Sequence, residues 1–445
     1  MDDISAQLAA VPDTPVGRQL RWYLAMLLTA GEGASLADLA RYVPGPNLHL
    51  EGFKSDEDLR NNWRGAVGRI GAIEKIAFEQ ATEIQAAVRL DCAKERQWRL
   101  TLTVESAVPH RITNVAYERL YNFRLETRDA VETDAHILAD LERRCPIELG
   151  DTKIWFDRGK DYFAFTRLME EFSIGLAFVD DEPAAVSCGA RHTVRIGGVL
   201  HPLLTVSHLR VLPEHQRKGL WGAANRTLDK FWPKVDGSNA YISVDNLGMQ
   251  HGFRNTPNKW PVTLLRLQLD CAGLKSSESG RMATPNDAEA LVAMLNAFHG
   301  DEEMFSPYSA ERFGARMGRA PEQYSWDKIL MTEKALVGVW PAGDSLRVVT
   351  ETGGKRTESE RGVVLDYAFM PGGEEDFEKL LRSWCAMLAA RGMDRLTIFS
   401  SRNSPGVDLL RRLASETEEF FMWSPGLAVP AGADTRGLYV DPVYF

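Results

Sequence analysis

The stretch Leu209-Arg-Val-Leu-Pro-Glu-His-Gln-Arg-Lys-Gly-Leu-Trp-Gly-Ala-Ala-Asn225 holds the residues best suited to chemistry. It reads as a strand, a sharp turn marked by Pro213, a basic glycine-containing loop and a helix. Such a loop is an anion cradle: unpaired N–H groups and the helix dipole at a helix start favour a pyrophosphate. Gly219 and Gly222 let the backbone approach a phosphate closely. Arg217 and Lys218 add positive charge in a chain whose formal net charge is −10. The bland alternative is a solvated basic turn that caps a helix. On the strand before the loop, Thr205 and Ser207 are in phase with each other, and neither is a strong base. His208 is one step out of phase and points to the opposite face unless a bulge re-aims it.

Val211-Leu-Pro213 followed by Gln216-Arg-Lys-Gly219 resembles motif A of the GNAT acyltransferase superfamily, Gln/Arg-x-x-Gly-x-Gly/Ala. Trp221 stands where a small residue is usual, with Gly222 one place later. The resemblance implies acetyl-CoA or another acyl-CoA as cofactor. Its pyrophosphate would lie at Gln216, Arg217, Lys218, Gly219, Leu220, Trp221 and Gly222, and its pantetheine arm along Leu209, Arg210 and Val211. Asn246, after the next strand, matches the family's usual Asn. The family's tyrosine before a Gly-Phe is absent, and Asn246 is followed by only five residues before Gly252-Phe253. His251 is then a candidate acid and His208 a candidate base. The shortened segment is similar to that of tandem-domain aminoglycoside acetyltransferases, which use a C-terminal carboxylate as base. This makes Phe445, at the end of an apolar aromatic tail, a third candidate.

Three segments must position these residues. Residues 1–118 open with helical periodicity at Val16–Leu28 and Ser35–Tyr42. Strand-like runs follow at Ala72–Phe78, Glu83–Leu90, Trp98–Val104 and Arg111–Tyr117. This is an α+β order similar to cystatin-like or nuclear-transport-factor-like domains. Residues 119–274 follow the GNAT element order. Residues 275–445 read as a degenerate copy. Thr133-Asp-Ala135 falls on Asn286-Asp-Ala288, and each precedes a helix. The hairpin across Asp180-Asp181 is matched by one expected across Pro341-Ala-Gly-Asp344. Ser207–Pro213 parallels Asp366–Pro371, and the following helices are expected at Gly222–Phe231 and Asp376–Ala390. After Pro371 the copy carries Glu374, Glu375 and Asp376, whose like charges would oppose a pyrophosphate. The expected fold class is mixed α/β, two tandem GNAT-like folds behind a small α+β domain.

Composition bounds the rest. The chain has 445 residues, 44% hydrophobic and 26% charged, which suits a multi-domain globular protein. No basic block favours nucleic acid or an acidic membrane. The acidic N-terminus lacks a signal-peptide core, and no run reaches membrane-span length. The five cysteines are scattered, so no zinc or disulfide framework is expected, and a reduced, cytoplasmic setting is. The leading expectation is an N-acetyltransferase acting on an amine of a small molecule, with homo-oligomerisation open. The competing readings are an acyl-CoA-binding interaction protein without turnover, and O- or S-acyl transfer on the same fold.

Overall fold

The computed structural model describes residues 2–42, 55–93, 96–159, 161–247, 249–250, 259–274, 279–424, 427–433 and 435–444. By contacts the chain divides into two units, Met1–Arg124 and Leu125–Phe445.

In the first unit, α1 (Asp2–Ala9), α2 (Pro15–Leu28), α3 (Leu36–Tyr42) and α4 (Asp56–Ile70) precede β1 (Ile73–Ala81), β2 (Gln85–Cys92), β3 (Arg96–Val104) and β4 (Ile112–Leu120). The strands form an antiparallel meander in chain order. α2 starts where the Thr14 hydroxyl accepts from Gly17 N at 3.1 Å, with Pro15 in the first turn. Its Val16, Leu20, Leu24 and Leu27 form one stripe and are buried with Val88, Leu90, Leu100 and Leu102 of the sheet. The four expected strands all form, each a few residues longer or displaced.

The second unit is built on one sheet of 14 strands. Its first half comprises β5 (Leu125–Asp129), α5 (Ala135–Arg144), β6 (Ile147–Leu149), β7 (Thr152–Asp157), β8 (Glu171–Val179), β9 (Glu182–Ile196), β10 (Val199–Val211), α6 (Leu220–Asn225), β11 (Gly237–Ser243) and β12 (Leu264–Asp270). Its second half comprises β13 (Arg281–Met282), α7 (Ala288–His299), α8 (Ala310–Arg319), β14 (Ile329–Met331), β15 (Ala335–Thr352), β16 (Lys355–Phe369), α9 (Glu374–Ala389), β17 (Arg395–Ser401), α10 (Val407–Leu413) and β18 (Glu416–Trp423). The main strand order is β13-β14-β15-β16-β17-β12-β18-β11-β10-β9-β8-β5.

Two local features recur in both halves. Each contains one parallel pair of three registers: Leu203–Gly237 to Thr205–Asn239 in β10 and β11, and Arg361–Arg395 to Val363–Thr397 in β16 and β17. Arg361 stands 158 positions after Leu203, and Arg395 the same 158 after Gly237. Both pairs then splay apart. Each half also closes its first turn with a two-pronged arginine–aspartate pair. Arg128 reaches Asp134 at 2.6 and 2.8 Å, and Arg281 reaches Asp287 at 2.8 and 2.6 Å. At the centre the halves exchange strands. β12 lies against β17, β18 lies against β11, and the two meet with Leu264 opposite Phe420. One apolar cluster therefore runs from Leu138 and Ile174 through Leu264 to Met317, Trp340 and Val443.

Two sequence expectations are corrected. Pro341-Ala-Gly-Asp344 is not a hairpin turn. It lies inside the single long strand β15, where register shifts and Gly343, at φ 53°, absorb the irregularity. The chain reverses instead at Gly353-Gly354, with φ 56° and 78°, as the left-handed conformation of a tight turn requires. The helix expected at Gly222–Phe231 is regular only over Leu220–Asn225. Tighter single turns follow at Arg226–Leu228 and Trp232–Lys234, the second containing Pro233. The Asp180-Asp181 hairpin forms as read, both residues at positive φ.

Candidate active site

The site lies where β10 leaves β11. Thr205 is the last β10 residue in register with β11, and the edge of Val206–Val211 facing β11 is thereafter unpaired with it. β10 carries a bulge here. Ser207 opposes Cys188 and Arg210 opposes Val186, so His208 and Leu209 together face one residue. His208 takes φ 51°, a conformation rare outside glycine. The bulge turns the His208 imidazole towards Arg158, whose guanidinium donates to Nε2, while Nδ1 lies 2.9 Å from Ser207 Oγ. Arginine can only donate, so Nε2 is an acceptor, the ring is neutral and Nδ1–H points to Ser207. Burial, then Arg158 and Arg210, holds His208 well below the usual histidine range. With its lone pair occupied, His208 is placed to fix the bulge.

Beneath it lies a buried ion cluster. Glu142 of α5 is fully buried, with Arg210 Nε at 3.2 Å, Arg158 Nε at 3.9 Å and the Tyr162 hydroxyl donating at 3.4 Å. Arg158, Phe165, Cys188 and His208 border a small, mostly apolar pocket. Burial pushes the Cys188 thiol up to about 12, so it stays protonated and is no nucleophile.

The basic loop follows. Arg217 has φ 64° and Gly219, which caps α6, has φ 83°. Gln216, Arg217 and Lys218 are exposed, as are Trp221 and Gly222, while Leu220 is buried. Gln216 Nε2 lies 3.5 Å from the Val211 carbonyl, tying loop to strand. Glu214, the neighbouring carboxylate, pairs with Arg144 at 3.0 Å. A Cβ added at Gly222 would meet nothing within 4 Å, so the missing side chain leaves open space over the first turn. In the second half, Glu374, Glu375 and Asp376 occupy the first turn of α9. Asn246 Oδ1 accepts from Met249 N at 3.1 Å. His251 and Phe445 lie outside the described residues.

Sequence reasoning missed a second group. His192 of β9, 7% exposed, places Nε2 2.7 Å from Thr205 Oγ1, and Thr205 in turn donates to Asn239 Oδ1 at 2.7 Å. The single Thr205 proton is thereby used, so His192 Nε2 carries the hydrogen and Nδ1 keeps its lone pair. Burial pushes His192 down to about 4, leaving the ring uncharged at neutral pH. Tyr444 stacks on it at 3.9 Å and 11°. Both line a crevice of about 510 Å³, open mouth included, with Tyr241, Tyr308 and Tyr439. In-phase alternation with Ala190 and Val194 was the available signal for His192. Among the described residues no His/Cys/Asp/Glu group could hold a metal, and no helix is long and apolar enough to cross a membrane.

The mixed α/β sheet, splayed beside a basic strand–loop–helix, has the fold of solved N-myristoyltransferase structures. Two solved structures of Saccharomyces cerevisiae N-myristoyltransferase carry the likeness. One, with bound myristoyl-CoA and inhibitors, has TM-score 0.51 at 11% identity, covering 72% of this chain and 87% of that one. The other, with bound myristoyl-CoA, has TM-score 0.50 at 10% identity, covering 71% and 85%. A GCN5-related N-acetyltransferase from Sphaerobacter thermophilus aligns at TM-score 0.41 and 14% identity, over 68% and 97%, too low to add to the assignment. The likeness is one of fold. No family model and no curated protein matches the sequence.

Proposed function

We propose that the protein is an acyl-CoA-dependent N-acyltransferase, with acetyl-CoA the simplest donor and an amine-bearing small molecule the acceptor. The observation that carries this is a junction. The unpaired edge of β10 starts where β10 and β11 part, at Thr205, which touches His192 of the crevice, and the basic loop follows the far end of that same edge. Residues 216–222 would hold the pyrophosphate and Leu209–Val211 the pantetheine arm, with Asn246 beside the splay. The open space over Gly222 suits that group. The bound donor supplies the thioester. The acceptor ammonium loses one proton, its nitrogen bonds to the acyl carbon as the C–S bond breaks, and a second proton goes to the leaving thiolate.

His192 Nδ1 is the nitrogen we assign to accept the first proton, and His208 positions the bulge backbone. His251 and the Phe445 carboxylate remain proposals for the second proton and for an alternative base. We further propose that residues 119–274 and 275–445 are tandem GNAT-like copies of which only the first binds acyl-CoA, supported by the repeated registers and by the acidic start of α9. Residues 1–118 would then be a cystatin-like or nuclear-transport-factor-like module for partner docking in a cytoplasmic protein. Release of CoA thiol from acetyl-CoA across an amine panel tests the activity. Binding of acetyl-CoA with no thiol release from any amine would mean an interaction protein instead.

A further inference from the structure

The crevice carries opposite charge at its two ends. α8 presents Arg312, Arg316 and Arg319 at positions i, i+4 and i+7, one face of the helix. At the inner end, Arg316 faces two carboxylates: Asp441 at 2.8 and 3.2 Å, and Asp366 at 3.3 Å. Side-chain exposure there is 8% for Arg316, 15% for Asp441 and 0% for Asp366. Burial raises the Asp366 carboxyl against the pull of Arg316; ionised, it and Asp441 outnumber the one cation and leave this end negative. At the outer end, Glu170 alone faces two guanidiniums, Arg312 at 3.8 Å and Arg319 at 3.6 Å. These are beyond hydrogen-bond distance, and exposure is 33% for Arg312, 23% for Arg319 and 35% for Glu170. Two cations against one anion leave the mouth positive. The rings of Tyr308, Tyr439 and Tyr444 line the crevice with Glu170, Asp441 and the three arginines, while Asp366 lies behind Arg316.

Resting on the acyltransferase reading above, we propose that the acceptor is a zwitterion of amino acid type. Its primary ammonium is taken at the Asp441 end among the tyrosine rings, and its carboxylate stays at the mouth between Arg312 and Arg319. A carboxylate there completes the charge that Glu170 alone leaves unmatched, and guanidinium forks suit it geometrically. An ammonium among tyrosine faces gains from the ring quadrupoles and from the inner negative charge. A plain amine, an amino acid amide or a peptide N-terminus lacks the anionic group. A plain carboxylate would add to the inner negative charge. His192, on the wall of the same crevice, is where the ammonium's proton would go.

The test is calorimetric titration of the full chain with the standard L-amino acids. For each that binds, the matching amide and decarboxylated amine follow, on the parent and on Arg312→Gln and Arg319→Gln, with cooperative melting as the folding check. At least one amino acid should bind, and its amide and amine should bind about 10- to 100-fold more weakly, the range for losing a hydrogen bond to a charged group. Each variant should shrink that ratio. Binding of no amino acid, equal binding of amides and amines, or an undiminished ratio in both variants would overturn the proposal. Discriminating binding without thiol release from acetyl-CoA would instead refute the acyltransferase reading and leave the pocket assignment standing.

Discussion

Glu142→Gln is the sharpest perturbation of the ion cluster beneath the strand bulge. Glutamine keeps the volume and can still accept from the Tyr162 hydroxyl, so only the charge is removed. The Arg158 and Arg210 side chains, 5% and 17% exposed, then lose the carboxylate that lies 3.9 and 3.2 Å from them. Breaking a buried pair by removing one partner costs about 3–5 kcal/mol. The residual exposure of Arg210 puts this case near the lower end, about 3 kcal/mol. Urea slopes of a few kcal/mol per molar turn that into a midpoint about 1 M lower. Urea unfolding by tryptophan emission, fitted with separate transitions for the two units, measures it. Glu142→Gln with Arg210→Gln should cost less than the sum of the two single changes, because the second removes a stranded charge. A loss below about 1 kcal/mol, or strict additivity, would refute the view that Glu142 neutralises these arginines.

Three further outcomes follow from the geometry. His192 sits below its unfolded value of 6.5, at about 4, so it is neutral in the fold while the unfolded chain takes up a proton first. Its contribution, on the order of 3 kcal/mol, is complete above pH 6.5 and lost as pH falls towards 4; His192→Gln should flatten that part of a stability–pH curve. Gly222→Ala should leave melting unchanged or slightly raised, since its Cβ meets nothing within 4 Å and alanine favours helix, yet weaken acetyl-CoA binding by filling the space over the loop. Deleting the last three residues removes Tyr444 and its 3.9 Å stack on His192, and should lower thiol release. Undiminished turnover would exclude both Tyr444 and the Phe445 carboxylate from the reaction.

Local signals in the sequence served well wherever the structure is itself local. The Asp180-Asp181 turn and the Val-x-Pro strand end could both be read because each is set by a few adjacent residues. Pro341-Ala-Gly-Asp344 misled for the same reason. Its composition is that of a turn, but Gly343 pairs with Arg361, and the ladder to β16 on either side, at Trp340 and Arg347, holds it in one strand. The exchange of β12 and β18 could not be read, since it depends on pairing between residues about 150 positions apart, such as Leu264 and Phe420. The basic loop was legible as a motif. His192 and Glu142 were not, because each takes its chemical character from partners on other elements.

The central claim is that the loop at 216–222 holds an acyl-CoA. Calorimetric titration with acetyl-CoA of the parent beside Gly219→Glu tests it most directly, with melting curves as the folding check because Gly219 sits at φ 83°. The account predicts one-site binding in the parent and none in a folded Gly219→Glu protein, whose carboxylate enters the cradle. No binding by the parent, or equal binding by both proteins, would contradict it.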